Sequence, residues 1–466
     1  MRKGRYIWLS LALGLSFSML GQNLDYYSQL NQPATFGDAR YNALAGNMVA
    51  MSGSFTALAI NPAGAGLYRQ EAFGMDMGIY TRRNTLNTGA VRGNTTNLNL
   101  NNFGYLGPDK ASGWNFYFTY NSDHIYRERI RDNQSGTSSI QLQWLDGSAG
   151  TPPDFLPELG AYEDLLYQSY ATDWDEDNMA YVSSANLNAT DFTHTYFRKG
   201  MRNRWTLGGG SHYGNTLFYG AAVNVVHSFE TVEIEHKETY SSTTDLTSFE
   251  VIDFWNNSAI GLSANAGVLY RPVQFFRVAA SLETPQFYSF SQDWEVQMKA
   301  IRPSITASGS TAEGYGLEYQ WSMMTAPKLH SGATVVLGRS ALLTVNHTLV
   351  AHSWSQSLSR NENYLNPIID TALSMQHMVG GASEVRLGPV TLRGGVSYSP
   401  EFRENFGDMV RYGLGIGLRA DDINLHIGWT KTVQNMQYYP FSSNYIDALK
   451  YESVESMLSV GAVWKF

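Results

Sequence analysis

The chain has no cysteine in its 466 residues, which excludes disulfides, thiolate metal sites and a thioether lipid anchor. Beyond residue 22 it has no run of eighteen apolar residues, so no segment reads as a membrane-spanning helix. Charge is scarce, at 16% of residues, and the formal net charge is −9; no basic surface is offered to nucleic acid. Local enzyme signatures are missing as well: there is no Gly-x-Ser-x-Gly elbow, no His-Glu-x-x-His, no Walker loop and no Gly-x-Gly-x-x-Gly before a helix. The histidines are scattered, and His212, His227, His347 and His426 fall in predicted strands. A barrel phospholipase, with Ser and His far apart in sequence, is the enzyme class this pattern leaves open. The expectation is a non-enzyme with no catalytic residue, no metal and no cofactor.

Aromatics and glycine are plentiful, at 13% of residues and 43 glycines, while mean hydropathy is only −0.27. A membrane barrel reconciles these values, because one face of each strand meets lipid and the other meets water. The first residues fit export. Arg2, Lys3 and Arg5 precede an uncharged run from Ile7 to Leu20, the pattern of a signal peptide over residues 1–21.

Alternation at period two runs through the remainder. Ile423, Leu425, Ile427 and Trp429 share one face, with Asn424, His426 and Gly428 on the other. Segments of this kind lie near 73–82, 97–107, 113–125, 203–213, 216–229, 256–270, 275–284, 328–338, 341–351, 378–387, 390–399, 410–420, 423–433 and 456–466. Between them, tight turns such as Gly214-Asn215, Gly338-Arg339-Ser340, Gly388-Pro389 and Asp421-Asp422 alternate with long polar stretches. The long ones are 83–96, 126–202 (the largest), 230–255, 285–327, 352–377, 400–409 and 434–455. A β-sandwich also alternates, but it explains neither this rhythm nor strands whose apolar face meets no second layer. The expected fold is all-β: a 14-stranded antiparallel transmembrane β-barrel over 73–466, with external loops and periplasmic turns.

Residues 22–72 differ from the rest. From Gly37 to Leu67 the chain is poor in charge and rich in small residues. Ala39, Ala43, Leu44 and Met48 follow Asp38 at helical spacing; Phe55, Leu58 and Ala59 follow Ser54, and Pro62 stops the run. Helices this short need a container, so the segment is expected to plug the lumen as a hatch. Its apolar Phe55, Leu58, Ile60 and Leu67 are the candidate contacts for a greasy passenger. On the third strand, parity turns Asn115, Tyr117 and Thr119 inward and Trp114, Phe116, Phe118 and Tyr120 toward lipid.

The spacing of Gly37-Asp38-Ala39-Arg40, Ala45-Gly46 and Asn61-Pro62-Ala63-Gly64 resembles the N-terminal hatch of the long-chain fatty acid transporter family of outer membranes, the FadL/TodX/OmpP1 group. Tyr270-Arg271-Pro272, Glu283-Thr284-Pro285, Ala326-Pro327-Lys328 and Leu387-Gly388-Pro389 extend the likeness along the chain. The resemblance implies a passive carrier for fatty acids, aromatic hydrocarbons or other hydrophobic molecules, with Asn61, Pro62, Ala63 and Gly64 shaping the hatch. It further implies a sideways exit at a kink in the third strand, although Trp114 to Ile125 has no Gly or Pro to make one. Expected surroundings are outer-membrane lipid and lipopolysaccharide, with the barrel-assembly machinery reading a C-terminus that ends in Phe466. Two other readings stay open: a type IX secretion shuttle binding protein cargo, motivated by the mass of external loops, and a purely structural barrel.

Two features of 126–202 complete the reading. Leu159, Tyr162, Leu165, Leu166 and Tyr170 suggest an amphipathic helix outside the membrane, a landing site for substrate or a cover for the mouth. Asp173, Asp175 and Asp177 have calcium-loop spacing, but Asn178 stands where the turn glycine is needed, which favours a solvated acidic loop.

Overall fold

The computed structural model describes residues 24, 26–86, 91–109, 111–240, 245–305, 310–312, 314–403 and 406–466; the predicted signal peptide lies outside them. Fourteen strands form the barrel: β1 (Ala72–Leu86), β2 (Val91–Asp109), β3 (Trp114–Thr137), β4 (Thr190–Tyr213), β5 (Leu217–Tyr240), β6 (Ser248–Val273), β7 (Phe276–Glu283 and Phe287–Ile301), β8 (Gly316–Met324 and Lys328–Leu337), β9 (Ala341–Ala351), β10 (Met375–Leu387), β11 (Val390–Ser399), β12 (Phe406–Ala420), β13 (Ile423–Tyr438) and β14 (Leu449–Lys465). Each pairs antiparallel with its neighbour, and β1 pairs with β14 from Ala72↔Lys465 to Leu86↔Tyr451, which closes the sheet. Closure leaves no edge to aggregate and satisfies the backbone away from water.

The alternation has the expected sense. Leu414, Ile416, Leu418, Leu425, Ile427, Leu458 and Val460 face outward and are exposed, while Thr430, Ser459 and His426 are buried inside. At the anticipated tight turns, Gly214, Gly338 and Gly388 take positive φ, and Asp421 does so at 34°. Pro285 and Pro327 stand in the breaks of β7 and β8. Each lacks the amide a ladder needs, and the breaks lie side by side, bridged by Thr325 N donating to Gln286 O at 2.9 Å.

The stretches read as external loops are the main correction. Much of 126–202, 230–255, 285–327 and 434–455 is barrel strand: β3 to β5 are 24 residues long and β6 is 26, far beyond the ~10 that cross a bilayer. Alternation continues in β5 above Phe229, but its chemistry changes. Glu233, Glu235, Lys237 and Thr239 face out, and Val232, His236, Glu238 and Tyr240 face in. An apolar-out pattern ends there because the surroundings are now water.

Above the membrane the inner face of this extension turns greasy and receives three helices, α3 (Gln141–Ser148), α4 (Leu156–Leu159) and α5 (Ala161–Gln168). Two further helices, α1 (Ala39–Ala43) and α2 (Phe55–Ile60), belong to the hatch below. Leu165 and Leu166 join Trp144, Phe249, Val251, Trp255, Trp294 and Val296 in one buried cluster. Gly160 breaks the anticipated helix, and Tyr170 stays exposed. These helices therefore cover the outer mouth. In the acidic stretch, Asp173 pairs with Arg302 at 2.6 Å, and Asp175 accepts from the amides of Asp177 and Asn178.

Within this cap Asp253 accepts hydrogen bonds from the Tyr162 hydroxyl and, at 2.7 Å, from Trp294 Nε1. Burial raises its pKa from 3.8 to about 6. A raised folded-state value means that the fold binds the proton more tightly than the unfolded chain, so stability falls as pH rises through the window from about 4 to about 6, by roughly 2–3 kcal/mol in all. Asp253→Asn is expected to remove that share of the pH dependence. Urea unfolding of the cap, followed by tryptophan fluorescence at pH 4 and pH 7, checks it; equal slopes in both proteins would count against it.

Candidate functional site

The hatch is built from two capped turns. Asp38 Oδ1 accepts from Tyr41 N at 2.9 Å at the start of α1, and Ser54 Oγ accepts from Ala57 N at 3.1 Å at the start of α2. Asp38 also ties the two together through the Ser54 hydroxyl and the Thr56 amide. The first helix is shorter than its spacing suggests: Ala45 and Gly46 enter the left-handed region and end it, so Met48 lies beyond it. As anticipated, Asn61 is extended before Pro62. There Asn61 Oδ1 accepts from Ala63 N at 3.1 Å, capping a 3-10 turn over Pro62–Leu67, and its Nδ2 donates to Val49 O at 2.9 Å.

Glycines in the wall make room for this hatch. A Cβ added to Gly267, Gly220 or Gly210 would lie 2.0 Å from Asn61 Oδ1, 2.5 Å from Pro62 O or 2.7 Å from Pro62 O, respectively. Neighbouring strands β4, β5 and β6 thus present one bare patch on which Asn61-Pro62 rests. On the other side Gly413, Gly415 and Gly428 accept α1 in the same way.

The inward residues of β3 grip the hatch. Asn115 Nδ2 donates to Ala65 O at 2.6 Å and Tyr68 O at 2.9 Å, and the Tyr117 hydroxyl donates to Leu58 O at 2.8 Å. Thr119 is buried and accepts from Asn102 Nδ2 at 3.1 Å. Phe55 and Leu58 pack with Leu106, Tyr117 and Ala222 of the wall, and Leu67 packs against Val49, Ala63, Phe218 and Leu269. Ile60 lines a cavity between hatch and wall. Outside, Phe103, Phe118, Tyr120 and Trp205 form an aromatic patch, with Tyr120 and Trp205 ring centres 4.8 Å apart.

Next to that patch the wall is incomplete. β2 and β3 pair only from Asp109↔Trp114 to Asn102↔Asn121. Above Asn121, β3 bulges at Ser122 and Asp123 and keeps its pairing with β4 alone, leaving residues 96–101 of β2 without a strand partner on that side. The two strands meet again where Thr95 Oγ1 donates to Arg127 O at 3.2 Å. A bulge needs neither Gly nor Pro and bends the strand that carries it. The hatch fills the gap. Thr35 N donates to Asp123 O at 2.9 Å, Thr35 Oγ1 meets His124 Nδ1 at 3.0 Å, and Phe36 packs on Tyr80 and Ile125.

Buried charge holds the region in place. Arg204 donates to Asp123 Oδ2 at 2.7 Å and to Glu283 Oε1 at 3.1 Å, and Lys328 reaches Glu283 at 3.4 Å, linking β3, β4, β7 and β8. Arg202, which is 1% exposed, donates to the carbonyls of Gln29, Leu30 and Gln32 at the end of a helical stretch over 26–31. On the hatch side Arg40 and Arg393 share Glu384. Asp123, Arg202, Arg204, Glu384 and Arg393 were not singled out from sequence, and Arg40, Glu283 and Lys328 stood there only within motifs; the available signal for the charge pairing was charge at inward-facing parity in a strand.

Among solved structures, the Pseudomonas putida toluene transporter TodX is similar at 12% identity and TM-score 0.55, with 93% of this chain and 99% of that chain covered. A Pseudomonas aeruginosa FadL homologue is similar at 10% identity and TM-score 0.56, covering 92% and 98%. The Ralstonia pickettii toluene transporter TbuX follows at 11% and 0.52, covering 93% and 99%. No family model matches the chain, and no curated protein does. The chain has the fold of the FadL-type barrels, the group its hatch motif resembles.

Proposed function

We propose that this chain is an outer-membrane channel for passive uptake of hydrophobic small molecules, long-chain fatty acids among them, which leave the lumen sideways between β2 and β3. The observation that carries the reading is the wall gap above Asn102↔Asn121, occupied by residues 33–36 of the hatch. A structural barrel has no use for a break in its ladder that a separate segment must fill. Lipid facing the break would receive an apolar molecule without exposing it to water, and the aromatic patch at its lower lip offers a surface for it. Much of the external mass that suggested protein cargo is continuous barrel strand closed by its own apolar cluster.

The reading is tested by uptake of labelled long-chain fatty acid into cells that lack their own carrier and express this protein or its Asn61→Ala, Pro62→Ala variant, at equal amounts in the outer membrane. The expected result is saturable uptake, reduced several-fold in the variant. No uptake above background at equal surface levels would overturn it.

A further inference from the structure

We propose that the outer face of β3 and β4, just above the apolar belt, binds the phosphates of an outer-leaflet glycolipid through Arg127, Arg129, Arg131 and Lys199; the inference stands on the barrel and not on what passes through it. The chain as a whole is acidic, with a net charge of −9, so four cations gathered on one patch run against its composition. The bulge in β3 puts them there. Below it the even-numbered residues face out, with Phe116 and Phe118 exposed. Asp123 is the extra residue that the pairing with β4 skips, and beyond it the parity is reversed. Arg129 and Arg131 are exposed there and Arg127 is half-buried, while Glu128, Ile130 and Asp132 are buried inside.

The patch has no anion of its own. Arg127 lies directly opposite Lys199, and like charges in that position destabilise a sheet. Among the described residues no carboxylate is within ion-pair distance of any of the four: Glu128 and Glu230, their neighbours, turn inward to Arg82 and Arg198. The exposed Glu233 and Glu235 of β5 are a strand away from the arginines, beyond Phe197 and Thr195. Height decides which anion fits. Met201 of β4 and Phe229 of β5 pair in the last apolar outward row, above Leu207, Trp205, Val223 and Val225, which are exposed to lipid tails. Lys199 and Arg127 stand in the next outward row, about 7 Å further along the strands. Lipid head groups occupy that level. An arginine fork takes phosphate oxygens in pairs, and three arginines at alternate positions span about 13 Å, room for more than one phosphate. The same row marks the top of the wall gap, where Thr95 Oγ1 meets Arg127 O, so a lipid held here lies beside the gap.

Native mass spectrometry of the detergent-purified barrel tests this with lipid A carrying two phosphates and with the same lipid stripped of them. The native protein is expected to prefer the phosphorylated lipid about tenfold, and the triple variant Arg127→Gln, Arg129→Gln, Arg131→Gln to bind the two about equally. A charge-matched control, Arg339→Gln, Arg386→Gln, Arg419→Gln, alters exposed arginines at the periplasmic turns and is expected to keep the native preference. The preference should also shrink as salt is raised, because the patch is exposed. Heat-modifiable gel mobility checks that both variants are folded barrels. Equal binding of the two lipids by the native protein, a preference unmoved by the β3 variant, or one lost equally in the control would overturn the site. Displacement of the lipid by an equal concentration of inorganic phosphate would overturn the glycolipid as its occupant.

Discussion

A disulfide between residues 35 and 124, made by Thr35→Cys and His124→Cys, is expected to stop uptake under oxidising conditions and to restore it on reduction. The native chain has no cysteine, so the pair has no competing thiol. The two side chains already touch, with Thr35 Oγ1 3.0 Å from His124 Nδ1, and the amide of Thr35 is bonded to Asp123 O. Cross-linking therefore ties residues 33–36 to β3 and forbids their release. Rate is the informative quantity: if passage requires residues 33–36 to leave the wall gap, a locked segment lowers labelled fatty acid uptake by at least tenfold, whereas each single-cysteine protein transports normally. Full cross-linking without loss of uptake would show that hydrophobic molecules do not pass between β2 and β3.

The second large effect is expected from Gly220→Leu. The Cβ alone would meet Pro62 O at 2.5 Å and Gly209 O at 2.7 Å, both backbone atoms that cannot swing aside. Because the barrel is hydrogen-bonded on both sides of β5, the part that yields is the hatch. Overpacking of this kind costs about 1–3 kcal/mol, enough to unseat a turn held by Asn61 and the β3 side chains. Planar-bilayer conductance should rise at least tenfold over the native protein as the lumen opens to ions. A barrel that folds, carries leucine at 220 and stays closed would show that the Asn61-Pro62 turn does not seal the lumen.

How much of this was legible beforehand depends on where each signal comes from. Fourteen strands and their turns could be read because lipid imposes an apolar outward face, as at Ile423, Leu425 and Ile427. The extensions above Phe229 could not, since Glu233, Glu235 and Lys237 meet water, and a strand with a charged face looks like a loop. The caps at Asp38 and Ser54 were visible because a cap is local. The wall gap was not: its cause is a bulge at Ser122 and Asp123, two polar neighbours of no special conformational type, and only the pairing of β2 and β4 on either side reveals it. Likewise Arg204, Glu283 and Lys328 are far apart in the chain, and only barrel closure brings their charges together.

The contacts of α1 bear on the order of assembly. Ala39 N donates to Asp76 Oδ1 of β1 at 2.8 Å, Asn42 Nδ2 donates to Ser459 Oγ of β14 at 2.7 Å, and Gly428 of β13 gives way to Ala39 O. These strands flank the seam where the first and last strands join. One short helix thus bridges the first strand and the last two, and ties the two sides of the seam to each other from within. A chain stripped of α1 would lose more than its plug: its seam would have to find the β1 to β14 alignment unaided, and slow or misregistered insertion would be the cost.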